Sequence, residues 1–349
     1  MINSNDDDYM ALALNLAKQG AFTTRPNPAV GCVMVKDGAV IGTGFHPKAG
    51  EPHAEVFALR AAAQNGHDTT GATAYVTLEP CSHHGRTPPC AAALIHAGLS
   101  RVVIATLDPN PKVAGRGMTM LQEAGIAVDV GVGEQQAKAI NAGFLKAMAT
   151  GLPHVRLKIA SSLDGRTAMA SGESKWITGS TAREDVQRLR AKSGAIITGS
   201  GTIIADNPAL SVRSTTLGVP LTNIPTPKIV VIDRSHRLQK TDDYQVFIDD
   251  NTLIWRDDLF SLLKTLVAEY QCHDVLVEAG STLATAFLLA GLVDELIIYQ
   301  APCLLGATAQ PMFVGEFERL VEKLDFELID CQKIGDDVKL TLIPKVIHS

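Results

Sequence analysis

Four residues in the first third of the chain have the types and spacing of a metal-dependent hydrolase: His53 and Glu55, two positions apart, then Cys81, and Cys90 nine positions on. A borderline-soft cation such as zinc takes imidazole and thiolate ligands in a tetrahedral site, and a catalytic zinc keeps its fourth position open for water. One His and two Cys would hold the ion. Glu55, outside the ligand set, would shuttle protons, and the combination suits hydrolytic deamination. Taken singly, His53 reads as a satisfied core or surface histidine and Glu55 as a solvated helix residue. The chemistry lies in the set. A closed structural zinc site is the competing reading, and it needs a fourth protein ligand, which His83 or His84 could supply.

Local elements must bring these residues together. His53 opens the Ala-, Leu- and Glu-rich stretch Ala54–Gln64, which reads as a helix stopped near Gly66. Residues two apart on a helix diverge by about 200°. His53 can therefore face a metal while Glu55 reaches the reacting atoms from another side, provided that this turn packs on the sheet. Cys81 follows the apolar run Ala74–Leu78, a strand, and so sits at a strand's carboxyl end, where open α/β sheets bind ligands. Cys90 opens a helix, Cys90–Ala97, whose free N–H groups favour thiolate.

The wider pattern alternates strand and helix. Helical spacing of Met10, Leu14 and Ala17 ends at Gly20, and Ala29–Val35 reads as a strand ended by Asp37-Gly38. Arg101–Thr106 and Ala127–Val130 read as strands around a helix over Met118–Ala124. This alternation indicates a mainly parallel sheet covered on both faces. Helix breakers at Thr150-Gly151-Leu152-Pro153 suggest a boundary, giving domains of 1–150 and 151–349. Beyond it the alternation restarts, with strands at Val155–Ala160, Ala195–Thr198, Lys228–Ile232, Val275–Glu278 and Glu295–Ala301. Helices are expected at Ser180–Arg190, Ser261–Glu269 and Ser281–Leu289. Phe326–Ile329 and Val338–Ile343 flank Gly335-Asp336-Asp337 and suggest a terminal hairpin.

Bulk properties exclude several function classes. The chain has 349 residues, enough for two ordinary domains. It is 46% hydrophobic and 19% charged, the balance of a globular protein. A net charge of −6 leaves no basic footprint for nucleic acid or an anionic membrane, which argues against a nucleic-acid base editor. Six cysteines in a chain of this length do not make a disulfide framework, so a reduced, cytoplasmic compartment is the simpler expectation. The N-terminus has no signal-peptide pattern, and no apolar run is long enough to cross a bilayer.

His-Ala-Glu followed by Pro-Cys and a second Cys resembles the signature of the cytidine-deaminase superfamily. The eight residues between Cys81 and Cys90, with Arg25-Pro26-Asn27-Pro28-Ala29-Val30-Gly31, narrow the likeness to the bifunctional deaminase–reductase family of riboflavin biosynthesis. The resemblance continues through Lys158–Arg166, Ser174-Lys175-Trp176-Ile177-Thr178, Asp206-Asn207-Pro208 and Glu278-Ala-Gly280, and covers the chain from about Tyr9 to the terminal hairpin. It implies a cytidine-deaminase-like three-layer α/β/α domain, then a dihydrofolate-reductase-like α/β domain. It implies one zinc on His53, Cys81 and Cys90, with Glu55 catalytic, and a substrate pocket of Asn27, His46, His83 and Arg86.

In the second half the resemblance implies NADPH at Ala160, Trp176, Thr202, Asp206, Gly280, Ser281, Thr282, Leu283, Ala284, Thr285 and Ala286. Substrate contacts are implied at Ser174, Arg190, Leu210, Arg213 and Glu278. Arg190 and Arg213 have the planar fork suited to a substrate phosphate. The family often has a small hydroxyl residue after Asp233. Here it is Arg234, which leaves that cofactor contact open, although an arginine could favour a 2′-phosphate. The implied partners are a phosphorylated ribosylaminopyrimidine and further copies of the chain. A non-catalytic, zinc-stabilised nucleotide-binding protein is the rival outside the enzymes.

Overall fold

A computed structural model describes residues 4–82, 89–110 and 113–345. The polypeptide divides into two compact units, Met1–Gly151 and Leu152–Ser349.

The first unit contains the helices α1 (Ser4–Gln19), α2 (Ala54–Gln64), α3 (Cys90–His96), α4 (Arg116–Glu123), α5 (Glu134–Ile140) and α6 (Ala142–Thr150). Its strands are β1 (Gly31–Lys36), β2 (Ala39–Phe45), β3 (Thr73–Val76), β4 (Arg101–Ile104) and β5 (Ala127–Val130), ordered β2-β1-β3-β4-β5. Alternation along β1 sends Cys32 and Met34 to one face, where they meet Ala58 of α2, Leu94 of α3 and Leu121 of α4. Val33 and Val35 go to the other, against Met10 and Leu14 of α1 and Ala137 of α5. The result is three layers, helix on sheet on helix.

The expected parallel sheet is only half realised. β1 pairs antiparallel with β2 and with β3, and only β3, β4 and β5 run parallel. The cause is local. Asp37 and Gly38 both take positive φ, 50° and 78°, which is the geometry of a two-residue hairpin turn. The chain therefore folds straight back as β2, a strand that the sequence pattern does not announce.

The second unit begins with β6 (His154–Ser162), β7 (Arg166–Ala168), α7 (Ser180–Lys192), β8 (Ala195–Gly199), α8 (Ser200–Asp206), β9 (Lys228–Ile232) and β10 (Thr252–Trp255). It continues with α9 (Leu259–Ala268), β11 (Asp274–Glu278), α10 (Ser281–Leu289), β12 (Glu295–Ala301), β13 (Gln310–Pro311), β14 (Phe326–Ile334) and β15 (Asp337–Pro344). The large sheet is ordered β10-β9-β8-β11-β6-β12-β15-β14. It is parallel from β10 to β12 and closes with the antiparallel β14–β15 hairpin. α9 and α10 bury Leu262, Leu266, Ala284 and Phe287 on one face, and α7 and α8 bury Val186, Leu189 and Ile203 on the other. Among the described residues, no helix is long and apolar enough to cross a membrane.

Candidate active sites

In the first unit, α2 carries His53 and Glu55, and β2 fixes where α2 lies. A Cβ on Gly44 would stand 2.4 Å from the Ala54 carbonyl oxygen, and one on Gly42 2.3 Å from that of Ala58. The two glycines let the helix backbone rest directly on the strand. His53 occupies the N-cap position in extended backbone, and its side chain is free of capping duty. The loop after β3 supplies Cys81, and Cys90 is the first residue of α3.

The ligating atoms of His53, Cys81 and Cys90 all lie within 4.8 Å of one another. His53 Nδ1 is 3.7 Å from Cys81 Sγ and 3.3 Å from Cys90 Sγ. A tetrahedral zinc, with Zn–S about 2.3 Å and Zn–N about 2.0–2.1 Å, sets N–S edges of about 3.6 Å, so the three donors fit that ion. The Cys90 N–H donates to Cys81 Sγ at 3.3 Å. A hydrogen bond with the Cys90 thiol, helped by His53, holds Cys81 well below the usual thiol range, and the same bond together with burial raises Cys90.

Glu55 is 3% exposed, and its Oε2 is a buried oxygen with no hydrogen-bond partner. Burial raises its pKa against the opposing pull of His53. A carboxyl group with an unused oxygen beside a donor set of this kind is suited to carrying protons.

His46 packs edge-on to His53, with ring centroids 5.1 Å apart. Its Nδ1 lies 3.0 Å from the Pro52 carbonyl oxygen, which can only accept, so Nδ1 carries the proton. Nε2 then accepts from Asn27 Nδ2 at 3.2 Å. Burial lowers the His46 pKa and keeps the ring neutral. Two of the four expected pocket residues are therefore hydrogen-bonded to each other, and His46 adjoins His53. His83, His84 and Arg86 lie outside the described residues.

One buried carboxylate here is not evident from motif reading. Glu79 is 4% exposed and accepts four backbone N–H bonds: Asp108 and Gly115 at 3.2 and 3.0 Å, Gly117 and Met118 at 2.9 and 3.2 Å. It ties the start of α4 to the loop that carries Cys81, two residues on. Gly117 is needed for this, because its Cβ would lie 1.9 Å from the Pro80 oxygen. The only sequence signal is a glutamate between an apolar strand and Pro80.

In the second unit a long cleft opens across the carboxyl ends of the parallel strands. Ala160, Trp176, Thr202, Asp206, Gly280, Ser281, Thr282, Leu283 and Ala286 line it, and so do Ser174, Arg190, Leu210, Arg213 and Glu278. Ala284 and Thr285 do not. Consecutive residues of a helix point all round its axis. Ala284 enters the core, and the Thr285 hydroxyl accepts from Val314 N at 2.9 Å.

The charged groups of the cleft are largely paired. Arg190 grips Glu278 with both arms of its fork, at 2.6 and 3.0 Å, and donates to the Ser211 carbonyl at 3.1 Å. Arg190 thus lines the cleft as the ion-pair partner of Glu278. Lys158 Nζ lies 3.9 Å from the same carboxylate. Burial would raise the Glu278 pKa, but Arg190 and Lys158 together lower it. Arg213 is exposed at the cleft's rim. Trp176 is 67% exposed in the cleft, with the Arg183 guanidinium 4.6 Å from its ring centroid. Arg234 and Arg237, from the loop after β9, line the same cleft.

Fold and donor set define a zinc-dependent deaminase joined in one chain to a reductase. Residues 3–106 match the family model described as "Cytidine and deoxycytidylate deaminase zinc-binding region", and residues 153–340 match "RibD C-terminal domain". The riboflavin biosynthesis protein RibD of Escherichia coli is 48% identical, covering 97% of this chain and 99% of its own. That of Haemophilus influenzae is 47% identical, covering 98% of both. The solved structure of Acinetobacter baumannii RibD, form 1, superposes with a TM-score of 0.93 at 52% identity, covering 98% of this chain and 99% of that one. The chain belongs to the RibD family of riboflavin biosynthesis proteins.

Proposed function

We propose that the chain catalyses two consecutive steps of riboflavin biosynthesis. The first unit, residues 1–150, would hydrolyse the exocyclic amine of 2,5-diamino-6-ribosylamino-4(3H)-pyrimidinone 5′-phosphate. The second, residues 151–349, would then reduce the ribosyl side chain to ribityl with NADPH. A solved Thermotoga maritima structure, described as a diaminohydroxyphosphoribosylaminopyrimidine deaminase/5-amino-6-(5-phosphoribosylamino)uracil reductase, supports this reading at 34% identity and a TM-score of 0.88, covering 97% of this chain and 99% of that one.

The observation that carries the first step is the buried, unpartnered Glu55 oxygen beside the His53, Cys81 and Cys90 donors. One zinc per chain, held by those three residues, supplies the Lewis acidity that makes water a nucleophile near neutral pH. Glu55 would take one proton from the water and pass it to the ring nitrogen, then take the remaining hydroxyl proton of the adduct and deliver it to the amine, which leaves as ammonia while the carbonyl forms. The Asn27–His46 pair offers donors and acceptors to the ring edge.

In the second unit NADPH supplies a hydride to the sugar carbon that bears nitrogen. The helix start at Gly280-Ser281-Thr282 presents backbone N–H groups toward the cleft for a pyrophosphate. Glu278, oriented by Arg190 and Lys158, faces the reacting sugar, and Arg213 takes the substrate phosphate. A cytoplasmic location and a homo-oligomeric state, dimer or tetramer, complete the proposal. The exposed apolar residues Leu328, Ile329 and Ile343 of the outer hairpin are suited to association.

The test is a coupled assay on zinc-loaded protein with the diaminopyrimidine phosphate, with and without NADPH, following both products. Glu55→Gln should keep its zinc and lose deamination by about 10²–10⁴-fold, the usual weight of a general acid–base group. Unchanged turnover would remove Glu55 from the mechanism. Failure to oxidise NADPH with the deaminated intermediate would remove the reductase assignment.

A further inference from the structure

Residues 208–219, between α8 and β9, carry Arg213 to the rim of the cleft without forming helix or strand. Among the described residues, no backbone–backbone hydrogen bond reaches this segment. A loop with so little of its own structure gives a long side chain no fixed origin unless something else holds it. Leu210 is buried in the cluster that also holds Val186 and Leu189 of α7. Its φ is 51°, in the left-handed region that a leucine seldom enters. Such strain persists only where the surroundings impose it.

The surroundings here are α7. Among the described residues, every hydrogen bond that ties residues 208–219 to another element comes from side chains of that helix. Arg190 donates to the Ser211 carbonyl at 3.1 Å. Gln187 Oε1 accepts from the Arg213 N–H at 2.8 Å. Glu184 Oε1 accepts from the hydroxyls of Ser214 and Thr216, and Arg188 donates to the Thr216 carbonyl at 3.1 Å. Glu184, Gln187 and Arg188 stand at i, i+3 and i+4 and so share one face of the helix. Arg190, Gln187 and Glu184 meet residues 211, 213 and 214 in turn, so segment and helix run antiparallel. Gln187 is 5% exposed, lines the cleft and makes the contact at Arg213 itself.

The side chain that this grip places is directed at the substrate. Burial pushes the Glu278 pKa up, Arg190 and Lys158 pull it down, and the charge of Arg213 adds to their pull. Arg213 is therefore felt at the carboxylate that faces the reacting sugar. A 5′-phosphate stands at the far end of that sugar from the carbon that bears nitrogen, and a cation near Glu278 suits it.

We infer that Gln187, supported by Glu184, is a positioning residue of the reductase: α7 clasps residues 211–216 so that Arg213 meets the substrate's 5′-phosphate, and the clasp makes this step selective for the phosphorylated sugar. The inference rests on the proposal that Arg213 takes that phosphate, and the experiment separates the two.

The measurement is NADPH oxidation by the full-length, zinc-loaded chain, on the deaminated ribosylaminouracil 5′-phosphate and on the same compound without its phosphate. Wild type should favour the phosphate by about tenfold or more in kcat/KM, since a fork–phosphate contact is charge-assisted. Arg213→Ala should abolish that preference. Gln187→Leu, of similar size but without the acceptor, should lower it about tenfold through KM, with kcat kept. Glu184→Ala, at a half-buried position, should lower it about threefold. The double variant Gln187→Leu/Arg213→Ala should be no worse than Arg213→Ala, because Gln187 acts through Arg213. Additive losses, or a full preference in Gln187→Leu, would overturn the clasp and leave Arg213 in its role. A full preference in Arg213→Ala would overturn both. Deamination and the KM for NADPH should stay at wild-type values in Gln187→Leu. If they move together with the preference, the glutamine only supports the fold and the inference fails.

Discussion

Replacing Glu79 by alanine tests how the zinc loop is held. The carboxylate accepts four backbone N–H groups, and two of them, on Asp108 and Gly117, belong to buried residues. Those of Gly115 and Met118, on half-buried residues, can turn to water. A buried donor left without a partner costs about 1–3 kcal/mol, so two of them cost roughly 2–6 kcal/mol. A loss of about 3 kcal/mol corresponds to a fall of roughly 6–12 °C in the melting temperature of a unit this size. Glu79→Gln should fall between wild type and alanine. Its amide oxygen can still accept, but its NH2 group turns toward donors. The assay is thermal unfolding of the zinc-loaded chain, paired with chelator competition for the zinc, because Cys81 lies two residues beyond Glu79. The first unit should melt earlier and release zinc more readily, with nucleotide binding by the second unit unchanged. If Glu79→Ala melts within about 2 °C of wild type and keeps its zinc, the tether contributes nothing and the argument fails.

The close contact of α2 with β2 gives a second expectation. Gly44→Ala places a Cβ 2.4 Å from the Ala54 oxygen, so the first turn of α2 must move. Deamination should fall steeply while the hydride-transfer step, assayed on the deaminated intermediate, stays intact; equal activity in both steps would refute it. A third concerns acid stability. Glu278 has its pKa lowered from the ordinary 4.5, as Arg190 and Lys158 overcome its burial. The folded state therefore binds its proton less readily than the unfolded chain. The stabilisation is present at neutral pH and is lost as pH falls through about 4.5 and below. Glu278→Gln should flatten that acid limb and cost about 3–5 kcal/mol at pH 7 by stranding the buried Arg190 and the half-buried Lys158. A urea titration across pH 3–7 reads both, and an unchanged slope in the variant would contradict the pairing.

Much of the zinc site is legible in the chain because its ligands sit at element boundaries with strong local signals. His53 precedes an alanine-rich helix, Cys81 follows an apolar strand, and Cys90 starts a helix after Pro89. The parts that support the site are less legible. β2 is hidden because Gly42 and Gly44 lower its strand propensity, although those same glycines let α2 approach. Glu79 is not singled out in the sequence, and only folding brings the amides of Asp108, Gly115, Gly117 and Met118 to it. Arg190 reads as suited to a phosphate because of its fork, and its pairing with Glu278, distant in the chain, is visible only in the fold. Ala284 and Thr285 fall in a contiguous cofactor run, and the helical turn then directs them away from the cleft.

The sequence by itself determined the donor set of the deaminase, the α/β class of both halves and the family, since residue types and spacings carry those directly. Tertiary structure alone decided that the Glu55 carboxylate keeps one oxygen unpartnered, that Asp233 turns inward while Arg234 and Arg237 line the cleft, and that Arg190 pairs with Glu278. These outcomes depend on which groups distant in the chain reach one another first. In a buried setting, a charge takes the partner that packing delivers.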